Sequence, residues 1–184
     1  DGICEISMYE TNIINNNYTI LKATKEKARV IMNTVNISFN HAGKFALFDI
    51  PGSFFAFSMA SIIENNSFLS FIDFHDLKSE LFLNHAHFRF NNSTNSFFEI
   101  NNNSSVNLKS SSFYLNYSPN GIIKANNIDI RSSNNGFTNN IGLCINCQNC
   151  STKIYSDNYI NYAKTPILNL SSYNTSKTFI FGSY

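Results

Sequence analysis

Asp49, Asp73 and Glu99 follow one another at intervals of about two dozen residues, and Lys124 continues the series. Each is the middle residue of a short triplet with apolar neighbours: Phe48–Asp49–Ile50, Ile72–Asp73–Phe74, Phe98–Glu99–Ile100 and Ile123–Lys124–Ala125. If the triplets are strands, the apolar pair faces inward and the middle residue faces solvent. On strands stacked turn upon turn, neighbouring carboxylates then lie about 5 Å apart. Carboxylates about 5–9 Å apart suit acid and base work on a glycosidic bond, and clustered oxygens suit calcium. Asp76 and Glu80 lie near the second member. Against this stands the plain reading that the outward face of any strand is polar, so that a few aligned acids need no task.

A second group is Cys4 with Cys144, Cys147 and Cys150, the last three in the run CINCQNC. The Cys-x2-Cys-x2-Cys spacing is similar to part of a ferredoxin cluster motif, but the fourth cysteine and its proline are missing. A zinc site needs a fourth ligand, and His41, His75, His85 and His87 are remote in sequence from the triad. No metal or cofactor is expected, and disulfides are the favoured reading, one of them inside the triad. Asn-x-Ser/Thr sequons occur at Asn17, Asn36, Asn65, Asn91, Asn92, Asn102, Asn103, Asn116, Asn149, Asn169 and Asn174. They are compatible with a glycosylated, secreted chain, although a sequence rich in Asn, Ser and Thr produces many by chance. There is no Gly-rich phosphate loop, no Gly-x-Ser-x-Gly elbow and no basic–aromatic stripe. A net charge of +1 gives no electrostatic reason to expect nucleic acid, and no run approaches the roughly 20 apolar residues of a membrane span.

The elements that must position these residues can be read from His87 to Lys109. Phe88–Arg89–Phe90, Phe98–Glu99–Ile100 and Val106–Asn107–Leu108 are three alternating triplets separated by Asn, Ser and Thr. None is long enough for a helix, and the expectation is that each buries its outer pair. The pattern recurs as three series. The first passes through Ile14, Ile37 and Phe39, Ile62 and Ile63, Phe88 and Phe90, Phe113 and Leu115, Phe137, then Tyr159 and Ile160. The second passes through Ile20, Leu47 or Phe48 with Ile50, Ile72 and Phe74, Phe98 and Ile100, Ile122 and Ile123, Leu143 and Ile145, then Ile167 or Leu168 with Leu170. The third passes through Val30 and Met32, Phe55 and Phe57, Leu81 and Leu83, Val106 and Leu108, Ile128 and Ile130, Ile154, then Phe179 and Phe181. Steps of about 22 to 26 residues signal a repeat. Three short strands per repeat predict an all-β, single-domain parallel β-helix of about seven coils. The coils fall at 13–35, 36–60, 61–85, 86–110, 111–133, 134–156 and 157–184, behind a lead-in or cap segment at 1–12. At about 4.8 Å per coil the rod is roughly 35 Å long, which places Cys4 about 25 Å from the triad and predicts an intermolecular bridge.

With only 7 Gly and 3 Pro, the turns fall to Asn and Ser. Asn40, Asn66, Asn91, Asn116, Asn139 or Asn140, and Asn161 recur at similar offsets, either as an amide ladder along the axis or as turn formers. Residues 19–33, TILKATKEKARVIMN, hold good helix formers. A short N-terminal cap is one reading, and strands with a local insertion are the favoured one.

The periodicity resembles the right-handed parallel β-helix families: pectate-lyase-like enzymes, phage tailspikes and adhesin passengers. Phe137–Thr138–Asn139–Asn140 matches the Phe-x-x-Asn repeat of the adhesins, and nothing matches their Gly-Gly-Ala-Ile repeat. The resemblance implies that carboxylates on one face, here Asp49, Asp73 and Glu99 with Lys124 above, would serve a polysaccharide lyase or glycosidase.

The chain starts at Asp1 without Met, so a leader has been removed or the chain is a piece of something longer. It ends on an apolar strand, Phe179 to Phe181, with Tyr184 behind it. An open edge of this kind is a template for another chain. The favoured expectation is a non-enzymatic, extracellular structural subunit that stacks head to tail with copies of itself into a surface filament. The alternatives are a cell-surface adhesin domain that takes surface glycans, and the carbohydrate-active enzyme.

Overall fold

A computed structural model describes residues 4–23, 28–51, 54–75, 78–101, 103–160, 168–171 and 178–181. The chain winds as a parallel β-solenoid of about six turns, with three strands in each turn and no helix among the described residues. Sheet A has eight strands, from Cys4–Tyr9 to Thr178–Phe181. Sheet B has seven, from Asn12–Ile14 to Asn158–Ile160. Sheet C has seven, from Leu21–Lys22 to Leu168–Ser171. Every pairing is parallel and joins strands one turn apart. The repeat begins earlier than its sequence pattern suggests. Cys4–Tyr9, inside the presumed lead-in segment, already pairs with Ala28–Asn33 and sets Ile6 and Met8 beside Val30 and Met32. The described residues of 19–33 supply the strands Leu21–Lys22 and Ala28–Asn33, with no helix among them. Their β-branched and alternating residues prevail because each strand has a neighbour to pair with.

The core is a set of columns parallel to the axis. Sheet A contributes Val30, Phe55, Leu81 and Val106, with Met32, Phe57, Leu83 and Leu108 beside them. Sheet B contributes Ile37, Ile63, Phe88, Phe113 and Phe137, all fully buried. In that column the rings of Phe88, Phe113, Phe137 and Tyr159 lie nearly flat on one another, at centroid distances of 5.0, 4.7 and 5.0 Å. Sheet C carries two columns. Phe48, Ile72, Phe98 and Ile123 form one, while Phe74 belongs to the other, between Ile50 and Ile100. A single turn could not seal these side chains, so stability is shared along the stack.

The triplet rule fails at Phe90. Phe98 and Ile100, and Val106 and Leu108, bury both partners, but Phe88 is buried and Phe90 is 47% exposed. The cause is backbone conformation. Phe90 has φ 55°, in the left-handed region, which breaks the two-residue alternation and turns the side chain outward. Ile13, rather than Ile14, takes the core position beneath Ile37, and Ile14 faces outward by the ordinary alternation of the strand. At the C-terminal end, Phe179, Ile180 and Phe181 pair in register with Lys153, Ile154 and Tyr155. Tyr184 lies outside the described residues.

Candidate functional site

The expected acidic column forms in register on sheet C. Lys22 stands beside Asp49, then come Asp73, Glu99, Lys124, Asn146 and Asn169. The reason is the two-residue alternation: each acid lies between two core residues and must project outward. Lysines close both ends of the acidic run. Lys22 Nζ is 3.0 Å from Asp49 Oδ2, and Lys124 Nζ is 2.6 Å from Glu99 Oε1. Asn95 Nδ2 donates to Glu99 Oε2 at 2.7 Å. These contacts occupy oxygens that a substrate or a calcium ion would have to reach. Glu80 belongs to sheet A, not to this column, and Asp76 lies outside the described residues. No group of three or more His, Cys, Asp or Glu among the described residues is arranged to hold a metal. His41 and His87 each meet a serine hydroxyl of the next turn, Ser67 at 3.0 Å and Ser112 at 2.8 Å. Burial lowers the pKa of His87, helped by the neighbouring charges of His85 and Arg89.

The asparagines form a ladder at the corner between sheets B and C. It runs Asn16, Asn40, Asn66, Asn91, Asn116 and Asn140, one residue per turn. From Asn40 onward each Oδ1 accepts both the backbone N–H and the side-chain amide of the asparagine one turn earlier, at 2.8–3.1 Å. From Asn40 onward each Nδ2 also donates to a carbonyl of the previous turn: Ile13, Ile37, Ile63, Phe88 and Phe113. The residue before each ladder asparagine makes the turn by adopting positive φ: Asn15, Phe39, Asn65, Phe90, Leu115 and Asn139. Ladder and turn formation are thus divided between adjacent residues. Asn140 rather than Asn139 joins the ladder, and Asn161 lies outside the described residues. Asn16, the first member, was hidden in the sequence by the Asn15–Asn16–Asn17 run.

A second polar stack, not apparent from the sequence, occupies the corner between sheets A and B. Ser111 N–H donates to Asn135 Oδ1 at 2.8 Å, and Asn135 N–H donates to Asp157 Oδ1 at 2.9 Å. The Asp157 carboxylate is 1% exposed. It also accepts from Asn135 Nδ2 at 3.2 Å, Tyr159 OH at 3.2 Å and Ser132 Oγ. Burial raises its pKa, and the four donors oppose that rise without cancelling it. Burial, and then the Asp157 charge, push the Tyr159 phenol upward as well.

Cys147 and Cys150 are joined at disulfide distance, with Cα atoms 6.0 Å apart, as expected for a pair within the triad. Cys147 points into the core above Ala125, Cys144 is buried outside the pair, and Cys4 is exposed on the first strand.

The sequons divide in the same way. Asn116, named as a glycan acceptor, is 1% exposed with its amide committed to the ladder, and so is Asn91. Asn36 and Asn65 are half-buried. Asn17, Asn92, Asn103, Asn149 and Asn169 are exposed, and Asn102 and Asn174 lie outside the described residues. No protein family, curated protein sequence or solved structure matches this chain.

Proposed function

We propose that this chain is a non-enzymatic structural subunit of the right-handed β-helix type, which stacks end to end into a rod outside the cell. The observation that carries this reading is the pair of open ends. Among the described residues, Cys4–Tyr9, Asn12–Ile14 and Leu21–Lys22 each have a single neighbouring strand at one end. At the other, Thr178–Phe181, Asn158–Ile160 and Leu168–Ser171 do. Their core residues are only partly buried: Met8, Ile13 and Leu21 at the first end, Tyr159, Leu168 and Leu170 at the second. Such edges present unpaired N–H and C=O groups above unsealed apolar side chains. Because every strand is parallel, one end complements the other, and a head-to-tail contact of this kind propagates instead of closing. Right-handedness follows the rule for parallel crossover connections.

A cell-surface adhesin domain, whose ends are covered by more of a longer chain, is the second reading. It is favoured by the aromatic side chains exposed along the rod, including Phe39, Phe90, Tyr114 and Tyr117. A polysaccharide lyase or glycosidase centred on Asp49, Asp73 and Glu99 has less support, because lysines and an amide already engage the column.

Light scattering at rising concentration, with negative-stain microscopy, tests stacking. Wild type is expected to form rods of increasing length. Ile13→Lys blocks one end and Leu170→Lys the other, so either alone remains monomeric while their mixture forms dimers that grow no further. A wild type that stays monomeric at all concentrations refutes the reading.

A further inference from the structure

The dipeptide Asn-Gly occurs twice, at Asn120–Gly121 and at Asn135–Gly136. The side-chain amide of an asparagine is open to attack by the backbone nitrogen of the next residue, and glycine, lacking Cβ, leaves that approach unobstructed. The two pairs are alike in sequence and opposite in setting.

Asn135 is 2% exposed, and both polar atoms of its side chain are engaged. Nδ2 donates to Leu108 O at 3.2 Å, Ser132 Oγ at 3.0 Å and Asp157 Oδ1 at 3.2 Å, while Oδ1 accepts from Ser111 N–H at 2.8 Å. Gly136 N–H donates to Ser111 O at 3.0 Å. The amide cannot swing toward Gly136 without parting the turns at the corner between sheets A and B.

Asn120 stands exposed in the turn from Ser118 to Gly121. Its Nδ2 makes one hydrogen bond, to Asn95 Oδ1 at 2.7 Å, in an exposed pair. Gly121 is buried and its N–H donates to Ser118 O at 3.1 Å, so the turn must open for the nitrogen to reach the amide. Opening one surface turn is a local event, and it costs less than breaking a buried, fully bonded corner.

We infer that Asn120 is a self-modification site. Gly121 N attacks Asn120 Cγ. The N–Cγ bond forms, the Cγ–Nδ2 bond breaks, and ammonia leaves with the proton given up by Gly121. Water then opens the cyclic imide at one carbonyl or the other, giving aspartate or isoaspartate. Either product puts an oxygen where Asn95 Oδ1 had a donor, and Asn95 Nδ2, which donates to Glu99 Oε2, faces a second carboxylate. One carboxylate is added, so the formal net charge of +1 becomes zero, which removes a source of repulsion between copies. Isoaspartate also lengthens the main chain where turns pack tightly. A Cβ at Gly121 would lie 3.1 Å from Asn146 Cβ, and one at Gly142 would strike Ser118 O. The bond from Asn146 Nδ2 to Asn120 O, 3.1 Å, joins the same two turns. The modified corner is therefore looser, and the change runs one way. The reaction needs only this turn and water, so it is independent of how the ends of the rod are used.

Ageing the folded chain in heavy-oxygen water at mildly alkaline pH, followed by peptide mapping with mass spectrometry, tests the inference. The peptide holding Asn120 is expected to gain an acid that carries heavy oxygen, part of it a substrate for isoaspartyl methyltransferase. Asn135 is expected to convert at least about a hundredfold more slowly, the ratio that ~2.8 kcal/mol of extra opening cost sets. In urea, where the fold no longer separates them, the two should convert at similar rates. Asn120→Ser should keep the aged chain free of the main acidic species on isoelectric focusing. Asn120 intact in the folded chain while it converts in urea, Asn135 converting as fast as Asn120 in the folded chain, or an acidic species undiminished in Asn120→Ser overturns the inference.

Discussion

Replacing Asp157 by asparagine should stabilise the protein at neutral pH. The carboxylate is buried and receives four hydrogen bonds, from Asn135 N–H, Asn135 Nδ2, Ser132 Oγ and Tyr159 OH. An asparagine keeps an oxygen where Oδ1 receives the two Asn135 donors. Its own amide would face Ser132 and Tyr159, whose hydroxyls can rotate to accept. The number of hydrogen bonds is unchanged, and the cost of burying a charge disappears. The folded-state pKa of Asp157 is raised. The aspartate's contribution is therefore fully present below its ordinary, unfolded value and is lost as pH rises through the raised folded value. Wild type should lose ground to Asp157→Asn as pH rises above the ordinary carboxylate range, and the two should converge in acid. The expected gain at pH 7 is about 1 kcal/mol, the scale of one net hydrogen bond, or about 2–4 °C in melting temperature for a chain of this size. Asp157→Ala is the opposing control. It strands the buried Asn135 N–H, while Asn135 Nδ2 keeps Leu108 O and Ser132 Oγ, and it forces both hydroxyls to re-aim, for a loss of about 1–3 kcal/mol. Urea unfolding of the three proteins across pH 4.5–7.5 measures both effects. An Asp157→Asn protein less stable than wild type at pH 7, or one whose pH dependence parallels the wild type's, would refute the reasoning.

Asn91→Ala in the middle of the ladder removes the acceptor of Asn66 N–H and Nδ2 and the donor to Ile63 O and Asn116 Oδ1. It should cost about 3–5 kcal/mol in urea unfolding, and a loss below about 1 kcal/mol would mean that the ladder is incidental to stability. Cys150→Ser opens the loop between Cys147 and Cys150. The short loop sets an entropic loss of about 2 kcal/mol, read as a lower melting temperature that added reductant does not lower further.

Several features were legible in the residues because their cause is periodic. Spacing places Asp49, Asp73, Glu99 and Lys124 in one outward column, since residues between two apolar neighbours can only face away from the core. Recurring Asn pairs mark the ladder, although its exact member in each pair does not follow from spacing. The candidate chemistry was less legible. The ion pairs of the lysines at both ends of the acidic column depend on side-chain reach, and Lys22 lies in a segment that also reads as a helix. Ser132, Asn135 and Asp157 carry no sequence mark of burial. They assemble only because the turn between sheets A and B directs them inward over one another.

The order of apolar and polar residues is enough to determine a three-stranded parallel coil and the inward face of most strands, because burial of the apolar face leaves no other solution. The tertiary structure alone decided where that order is interrupted. At Phe39, Phe90 and Leu115 the hydrogen bonds between turns hold the backbone at positive φ, and a side chain that the alternation assigns to the core is turned out to solvent. That choice depends on the neighbouring turns, about two dozen residues away in either direction, and no local pattern encodes it.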